Sequence, residues 1–292
     1  MIALVLLYKW ALLCGVLLAP TLALVGCHLA ARDKAMQTLC VSQGASLGVL
    51  LAMGVLESFE AGPAALMAGP FAAAAVFAAL TYVGGERLVA QRQASKTTFF
   101  TSVFASLLAL GYLVSALFPH LEGHMSQIFF GDVSTLSDGE AVVGSALGLG
   151  GLFFLWAYWR EVSSQSFSFA IFGELVFLRG RRPGPRVFSA LALLLLVFSV
   201  QVMGFLFTVG CLFLPTALGK ILANHGIRSH LVFAAVAASV STLTGFLVSL
   251  RFSRLPTVPT IVVTLLALGT AAIVVRRRES PEARRALLRR PS

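Results

Sequence analysis

Side chains that could bind a metal ion are few in this chain and lie far apart. The cysteines have neither the spacing of a zinc knuckle nor that of a disulfide framework. Cys27 and His28 are adjacent, so one helical face cannot present both of them, and a minority interpretation places them along an exit path. All four cysteines fall in apolar segments: Cys14, Cys27, Cys40 and Cys211. They therefore indicate neither a structural zinc site nor a redox compartment.

Two histidines occur in an acidic segment. His120 and His124 have the i, i+4 spacing that can place two imidazoles on one face of a helix. Glu122 and Met125 lie beside them, and residues 119–140 contain no Lys or Arg. This segment could capture a cation, although a solvated loop is the default interpretation.

The long apolar segments contain no Asp, Glu, Lys or Arg in their central parts. Proton-coupled carriers and intramembrane enzymes usually place ionisable groups there, because such groups are costly in lipid and are kept for function. The chain also lacks a glycine loop that ends in Gly-Lys-Ser or Gly-Lys-Thr. It cannot hydrolyse ATP by that route, so any pumping needs energy from a partner.

The composition is that of an integral membrane protein. Hydrophobic residues make up 58% of the chain and the mean hydropathy is +0.90, which leaves too little polar surface for a soluble globule. The net charge of +10 resides in short segments between the apolar runs. This is the distribution expected of cytoplasmic loops, and we expect no nucleic-acid partner.

Hydropathy predicts an all-α fold with about nine transmembrane helices. Basic loops predict that the N-terminus is outside and the C-terminus cytoplasmic, with Arg251 and Arg254 as an exception. A lipoprotein-like Leu24-Val25-Gly26-Cys27 run is better explained as part of a retained first span. A single polytopic transmembrane domain covers 1–275 and a basic cytoplasmic tail covers 276–292, suited to anionic lipid. The predicted spans are 10–31, 36–56, 63–85, 98–119, 141–159, 187–206, 207–223, 231–250 and 257–275.

One apolar stretch, Val187 to Asn224, is too long for a single crossing. As a straight helix it would extend roughly 57 Å, against a hydrocarbon core of about 30 Å. It must therefore fold back, and we expect the helical break among Gly204, Gly210 and Pro215. A turn inside a bilayer requires protein or water to satisfy its backbone, as in the interior of a transporter.

The largest predicted cytoplasmic loop, 160–186, contains the run Ser166 to Glu174. Phe169 and Phe172 are three residues apart, and Phe167 and Ile171 are four apart, so a short helix would present apolar side chains from a polar frame. Such a helix could dock in the groove of a partner protein or lie on lipid. The residues alone favour neither.

The same run carries a resemblance to the permease subunits of zinc/manganese/iron-type ATP-binding-cassette transporters, and the resemblance covers most of the chain. The family has a coupling segment that contains Ser-Phe-Asp-Pro-Glu, ends in Ala-x-x-x-Gly and contacts the ATPase. Ser166, Phe167, Ala170 and Gly173 fit that segment, whereas Ser168 replaces the family's Asp. The resemblance assigns coupling to Phe167, Phe169, Phe172, Gly173 and Glu174.

Three further motifs resemble those of the family, and all of the motifs occur in the family's order along the chain. Ile128 to Val133 resembles its external Leu-Phe-Gly-Asp motif, which assigns gating or docking to Phe130, Gly131 and Asp132. The segment from Val202 to Ala217 resembles its bent sixth and seventh spans, and Leu255 to Pro259 resembles its Leu-Pro-Thr-Gly-Pro turn. The resemblance implies a type II importer-like bundle, as in the vitamin B12 permease.

The second span departs from the family. Members usually carry Gly-Asp-x-x-Ser-His there, and its Asp and His meet the metal in transit. Aligned on Ser42, this sequence has Thr38, Leu39 and Gln43 at the Gly, Asp and His positions. Gln43 could offer an amide oxygen and Cys40 a sulfur, but a neutral amide is a poor ligand for a borderline metal and a thiol must first lose its proton.

The resemblance implies a non-enzymatic permease that imports zinc, manganese or iron across a bacterial plasma membrane. It implies a homodimer, a separate cytoplasmic ATP-binding subunit, an extracytoplasmic solute-binding protein, and no cofactor bound by this chain. Two alternatives remain. One is a degenerate permease that scaffolds or regulates a complex, and the other is a secondary carrier that works alone.

Overall fold

The protein is built from α-helices. The computed structural model describes residues 7–59, 62–91, 95–118, 121–131, 136–172, 184–222, 226–252 and 255–288, and these ranges contain no strand. The helices are α1 Lys9–Ala31, α2 Ala35–Ser58, α3 Pro63–Gln91, α4 Lys96–Leu117, α5 Glu122–Phe130, α6 Asp138–Ala157, α7 Trp159–Phe172, α8 Gly184–Met203, α9 Phe205–Leu222, α10 Gly226–Arg251 and α11 Thr257–Leu288.

Eight of these helices are long and apolar enough to cross a membrane: α1, α2, α3, α4, α6, α9, α10 and the first part of α11. The predicted sixth span corresponds to α8, whose apolar part, Val187–Met203, is shorter. The all-α membrane fold is therefore confirmed, whereas the count of nine spans is not. The predicted tail begins inside α11, which continues to Leu288.

Helix α1 lies at the centre of the bundle and packs against α6, α9 and α10. Its Leu18 and Leu22 are fully buried. The Thr21 hydroxyl donates a hydrogen bond to the Gly148 carbonyl of α6 at 3.0 Å. At Gly26 a Cβ atom would meet the backbone of Leu212, so α1 and α9 are in backbone contact there. Small residues allow this approach, as they do between other membrane helices.

The chain turns back between α8 and α9. Helix α8 ends at Met203, α9 begins at Phe205, and Gly204 lies between them with φ of +88°. The hydroxyls of Ser199 and Thr208 are 2.8 Å apart. In a continuous helix residues nine apart would be separated by about 13.5 Å, so this bond requires a sharp turn.

Gly210 and Pro215 do not interrupt the chain in the same way. Both lie within α9, which is assigned as helix from Phe205 to Leu222, and both are buried. The expectation of a break in this stretch is thus met at Gly204, whereas the helix continues through the other two positions.

Gly204 lies directly against Gly131, the residue that follows α5. A Cβ atom at Gly204 would be 2.6 Å from the Gly131 Cα, and a Cβ at Gly131 would overlap the Met203 carbonyl and lie 3.0 Å from Val258 Cγ2. Gly131 also has positive φ, at +73°. We call the contact of Gly131, Gly204 and Val258 the Gly204 junction. It joins α5, the α8–α9 turn and the start of α11.

Both glycines of the junction should be sensitive to any side chain. Gly204→Ala adds a Cβ to a left-handed backbone and pushes it into Gly131, so we expect a loss of about 1–3 kcal/mol in the free energy of unfolding. Gly150→Ala is the control, because that glycine lies on the exposed face of α6 with no atom near the new methyl group. Denaturant titration of the purified protein in detergent measures both. Equal stability of the two variants would contradict the backbone contact.

Candidate functional site

The coupling segment predicted from the sequence lies at the end of α7. Phe169 is half-buried on this helix. Phe167 and Phe172 belong to the helix, but their side chains are outside what the structure describes, and Gly173 and Glu174 lie beyond the described residues. The apolar residues of the segment lie on a helix that extends from Trp159 to Phe172, as their spacing predicts.

Ser166 of this segment is buried and holds α7 to the C-terminal end of α1. Its hydroxyl donates to the Val162 carbonyl of its own helix at 2.8 Å. Arg32 Nε donates to the same oxygen at 3.1 Å, and His28 Nδ1 lies 3.1 Å from it. We call His28, Arg32, Ser166 and Phe188 the Ser166 cluster, because Phe188 of α8 packs under both basic side chains.

Phe188 closes the cluster from the side of α8. The ring is fully buried, its centroid is 4.2 Å from the Arg32 guanidinium carbon, and His28 meets it edge to face at 5.9 Å. An aromatic face attracts a cation, most strongly where both are desolvated. The guanidinium is thus held by a ring and a hydroxyl.

Arg32 follows α1 directly and is only 5% exposed. Burial lowers the pKa of its guanidinium to about 10, so the group stays charged at neutral pH. Its Nη2 is buried without a hydrogen-bond partner. The neighbouring Lys34 is satisfied differently, because its ammonium pairs with the Glu86 carboxylate at 2.6 Å. Arg32 is therefore a buried cation whose contacts are to neutral groups.

A cavity of about 460 Å³ opens beside the Ser166 cluster. Cys27, His28 and Ser166 line it together with Lys220 and His230. The Cys27 thiol is 3.3 Å from the Thr216 hydroxyl of α9. The structure thus brings Cys27 and His28 to one cavity, although they are adjacent in the sequence. Lys220 adds positive charge at its wall, which disfavours a resting cation.

The two residues suggested as metal contacts behave differently. The Cys40 thiol is buried and donates to the Phe100 carbonyl of α4 at 2.8 Å. Gln43 is also fully buried, but neither the oxygen nor the nitrogen of its amide has a partner. Its Nε2 would be 4.0 Å from a Cβ built at Gly111 of α4. Cys40 is therefore engaged in helix packing, whereas Gln43 carries an unused donor and acceptor.

A second cavity, of about 570 Å³, adjoins the Gly204 junction. It is lined by Phe130, Gly131, Pro256 and Pro259, among others, so the Phe-Gly motif and the Leu-Pro-Thr turn share one site. Phe130 is 56% exposed. Asp132, the third residue of the predicted gate, lies outside the described residues.

Of the predicted histidine pair, His120 also falls outside the described residues. His124 on α5 faces Glu57 at the end of α2, with 3.3 Å between His124 Nε2 and Glu57 Oε1. Within the described ranges, no three side chains of His, Cys, Asp or Glu are grouped so that they could hold a metal ion.

Arg32 and Phe188 are the residues that sequence reasoning missed. Arg32 falls between the first two predicted spans and Phe188 inside the predicted sixth span, and the sequence gives neither residue a role. Their contacts join positions more than 130 residues apart, since Arg32 and Ser166 are separated by 134. The one local signal is the fit of Ser166 to the coupling motif.

Comparison with known proteins agrees with this architecture. PsaBC from Streptococcus pneumoniae in complex with Fab has a TM-score of 0.71, with 19% identity over 90% of each chain. A transporter described as of the metal-chelate ABC type, in an inward-facing conformation, has a TM-score of 0.65, with 16% identity over 91% of this chain and 85% of that one. Both show the fold of ABC-transporter permeases.

No curated protein matches the sequence. The sequence model of the ABC 3 transport family, however, matches residues 5–276, nearly the whole chain. The expected likeness to ABC permeases is thereby confirmed, and the chain belongs to the ABC 3 transport family.

Proposed function

We propose that this protein is the membrane permease of an ABC importer that moves a divalent metal cation, zinc, manganese or iron, across a bacterial plasma membrane. The family match over residues 5–276 carries the proposal. The chain works as a homodimer with an ATP-binding subunit on the cytoplasmic side and a solute-binding protein on the other. It binds no cofactor, and the ATP is used by the partner subunit.

The position of α7 supports the coupling part of this proposal. Ser166 and Phe169 lie on one helix, whose main packing partners among the described helices are α1, α6 and α8. A half-buried Phe169 leaves part of an apolar ring for a partner groove, which is the helix-in-groove mode of recognition. ATP hydrolysis in the partner would act on the bundle through this helix.

The cargo part of the proposal depends on Gln43. The amide oxygen is a hard, neutral donor of the kind that suits manganese better than zinc. Cys40 is the weaker candidate, because metal binding would require its thiol to lose both its proton and its bond to Phe100. We assign the transient contact with the cation to Gln43 and a packing role to Cys40.

The assembled complex should take up metal only when ATP is present. The permease is purified with its ATPase, reconstituted in liposomes and supplied with zinc, manganese or iron(II) through the solute-binding protein. ATP-dependent uptake of one metal over the others is expected, and accumulation is read from the metal content of the liposomes. A fully assembled complex that hydrolyses ATP but moves none of them would instead favour the scaffold role.

Gln43→Leu separates a transport role from a structural one. Leucine keeps most of the side-chain volume and removes two unsatisfied polar atoms, so the free energy of unfolding should stay the same or rise by about 1–2 kcal/mol. Metal uptake should fall about tenfold or more, as expected when one contact to a charged species is lost. Cys40→Ala is the comparison and should retain uptake. Unchanged uptake in Gln43→Leu would remove Gln43 from the path.

Phe169→Asp should uncouple the ATPase from the permease. A carboxylate in an apolar groove has to be desolvated, so the substitution weakens docking without disturbing the membrane core. ATPase activity of the complex should no longer respond to the loaded solute-binding protein. Phe169→Leu keeps an apolar side chain and should retain the response. If the aspartate variant responds like the leucine variant, α7 does not dock through Phe169.

A further inference from the structure

The hydrogen-bonding capacity of the Ser166 hydroxyl determines which groups of the Ser166 cluster donate and which accept. A serine hydroxyl has one proton and two lone pairs. The proton goes to the Val162 carbonyl, so the oxygen accepts from both neighbours, Arg32 Nε and His28 Nδ1. This requires the His28 tautomer with its proton on Nδ1. One serine of the coupling helix therefore receives two hydrogen bonds from the C-terminal end of α1.

The fourth member of the cluster, Phe188, belongs to α8. Phe188 contacts Arg32 through its face and His28 through its edge, so neither basic side chain can follow α7 without sliding over the ring. Arg32 Nη2 has no hydrogen-bond partner, and the described contacts include no carboxylate for this charge. The guanidinium is held in place by Ser166 and Phe188 together.

Helices α8 and α1 connect the Ser166 cluster to the rest of the bundle. Phe188 begins the buried part of α8, and Gly204 directly follows that helix, sixteen residues and about 24 Å further along. Helix α1 is in backbone contact with α9, on the other side of the same turn, at Gly26 and Leu212. The Ser166 cluster and the Gly204 junction are thus connected through α8 directly and through α1 and α9.

We propose that the Ser166 cluster is the joint through which movement of α7 reaches the membrane helices, with Arg32 and His28 as positioning residues. When α7 moves, Ser166 moves Arg32 and His28, and Phe188 passes the displacement to α8 and so to the Gly204 junction. This inference rests on the proposed docking of α7 to an ATPase, but it is independent of which cargo is carried.

Two labels test the joint in the complete complex with its ATPase in lipid nanodiscs. One is a spin label on Ser164→Cys, which lies on the exposed side of α7, and the other is on Ser126→Cys, which lines the cavity beside the Gly204 junction. The four native cysteines are buried. The spectra are recorded with and without a non-hydrolysable ATP analogue. Both labels should respond in the parent complex.

Ser166→Ala should leave the response at Ser164 intact and reduce that at Ser126 about fivefold or more, because both hydrogen bonds from α1 are lost. Ser166→Thr keeps the hydroxyl and has space at the cavity, so it should restore the response. Ser239→Ala is the matched control, because that hydroxyl donates to the Ala235 carbonyl of its own helix. Arg32→Lys keeps the charge but loses the Nε–H, and it should behave like Ser166→Ala.

Two results would count against the joint, and they differ in which of the two proposals they overturn. An undiminished Ser126 response in both Ser166→Ala and Arg32→Lys, with Ser164 still responding, would overturn the joint while leaving the coupling proposal in place. No response at Ser164 in the parent complex would show that nucleotide does not move α7, and that would overturn the proposed coupling and the joint with it.

Discussion

A turn of the backbone within a membrane bundle must satisfy its own hydrogen bonds, because no water in the hydrocarbon core can do so. The turn at Gly204 meets this requirement locally. Gly204 N–H donates to the Val200 carbonyl, and the Gly204 carbonyl accepts from both the amide and the hydroxyl of Thr208. The hydroxyls of Ser199 and Thr208 bond each other across the turn. Only glycine at this position lets the backbone reverse and also lie against Gly131.

Much of the fold could be predicted from local sequence. Hydropathy locates membrane helices because lipid imposes length and polarity on each segment separately. The excess length of Val187 to Asn224 likewise predicts that the chain folds back. The same local signal cannot say which of Gly204, Gly210 and Pro215 makes the turn. That choice depends on the distant Gly131, which a side chain at Gly204 would strike.

The candidate site was less predictable, because its contacts are between distant residues. A basic residue beside a span normally signals a cytoplasmic loop, and Lys34 fits that pattern in its partly exposed pair with Glu86. Arg32, two residues earlier, is buried by Phe188 and Ser166, which come from α8 and α7. The sequence likewise identified Cys40 and Gln43 together, but only packing against α4 distinguishes an engaged thiol from an unpaired amide.

The contacts that hold Arg32 in the Ser166 cluster are to neutral groups and not to a carboxylate. Breaking a buried ion pair costs about 3–5 kcal/mol, because an uncompensated charge is left behind. A hydrogen bond in which one partner is charged contributes about 1.5–3 kcal/mol and a desolvated cation–π contact about 2 kcal/mol. Arg32 is held by contacts of this second kind. A guanidinium can donate from Nε while its plane covers Phe188, a combination that the single ammonium of lysine does not provide. Each single contact of the cluster can therefore rearrange at a cost of a few kcal/mol, the range in which binding of a partner can shift a conformational equilibrium.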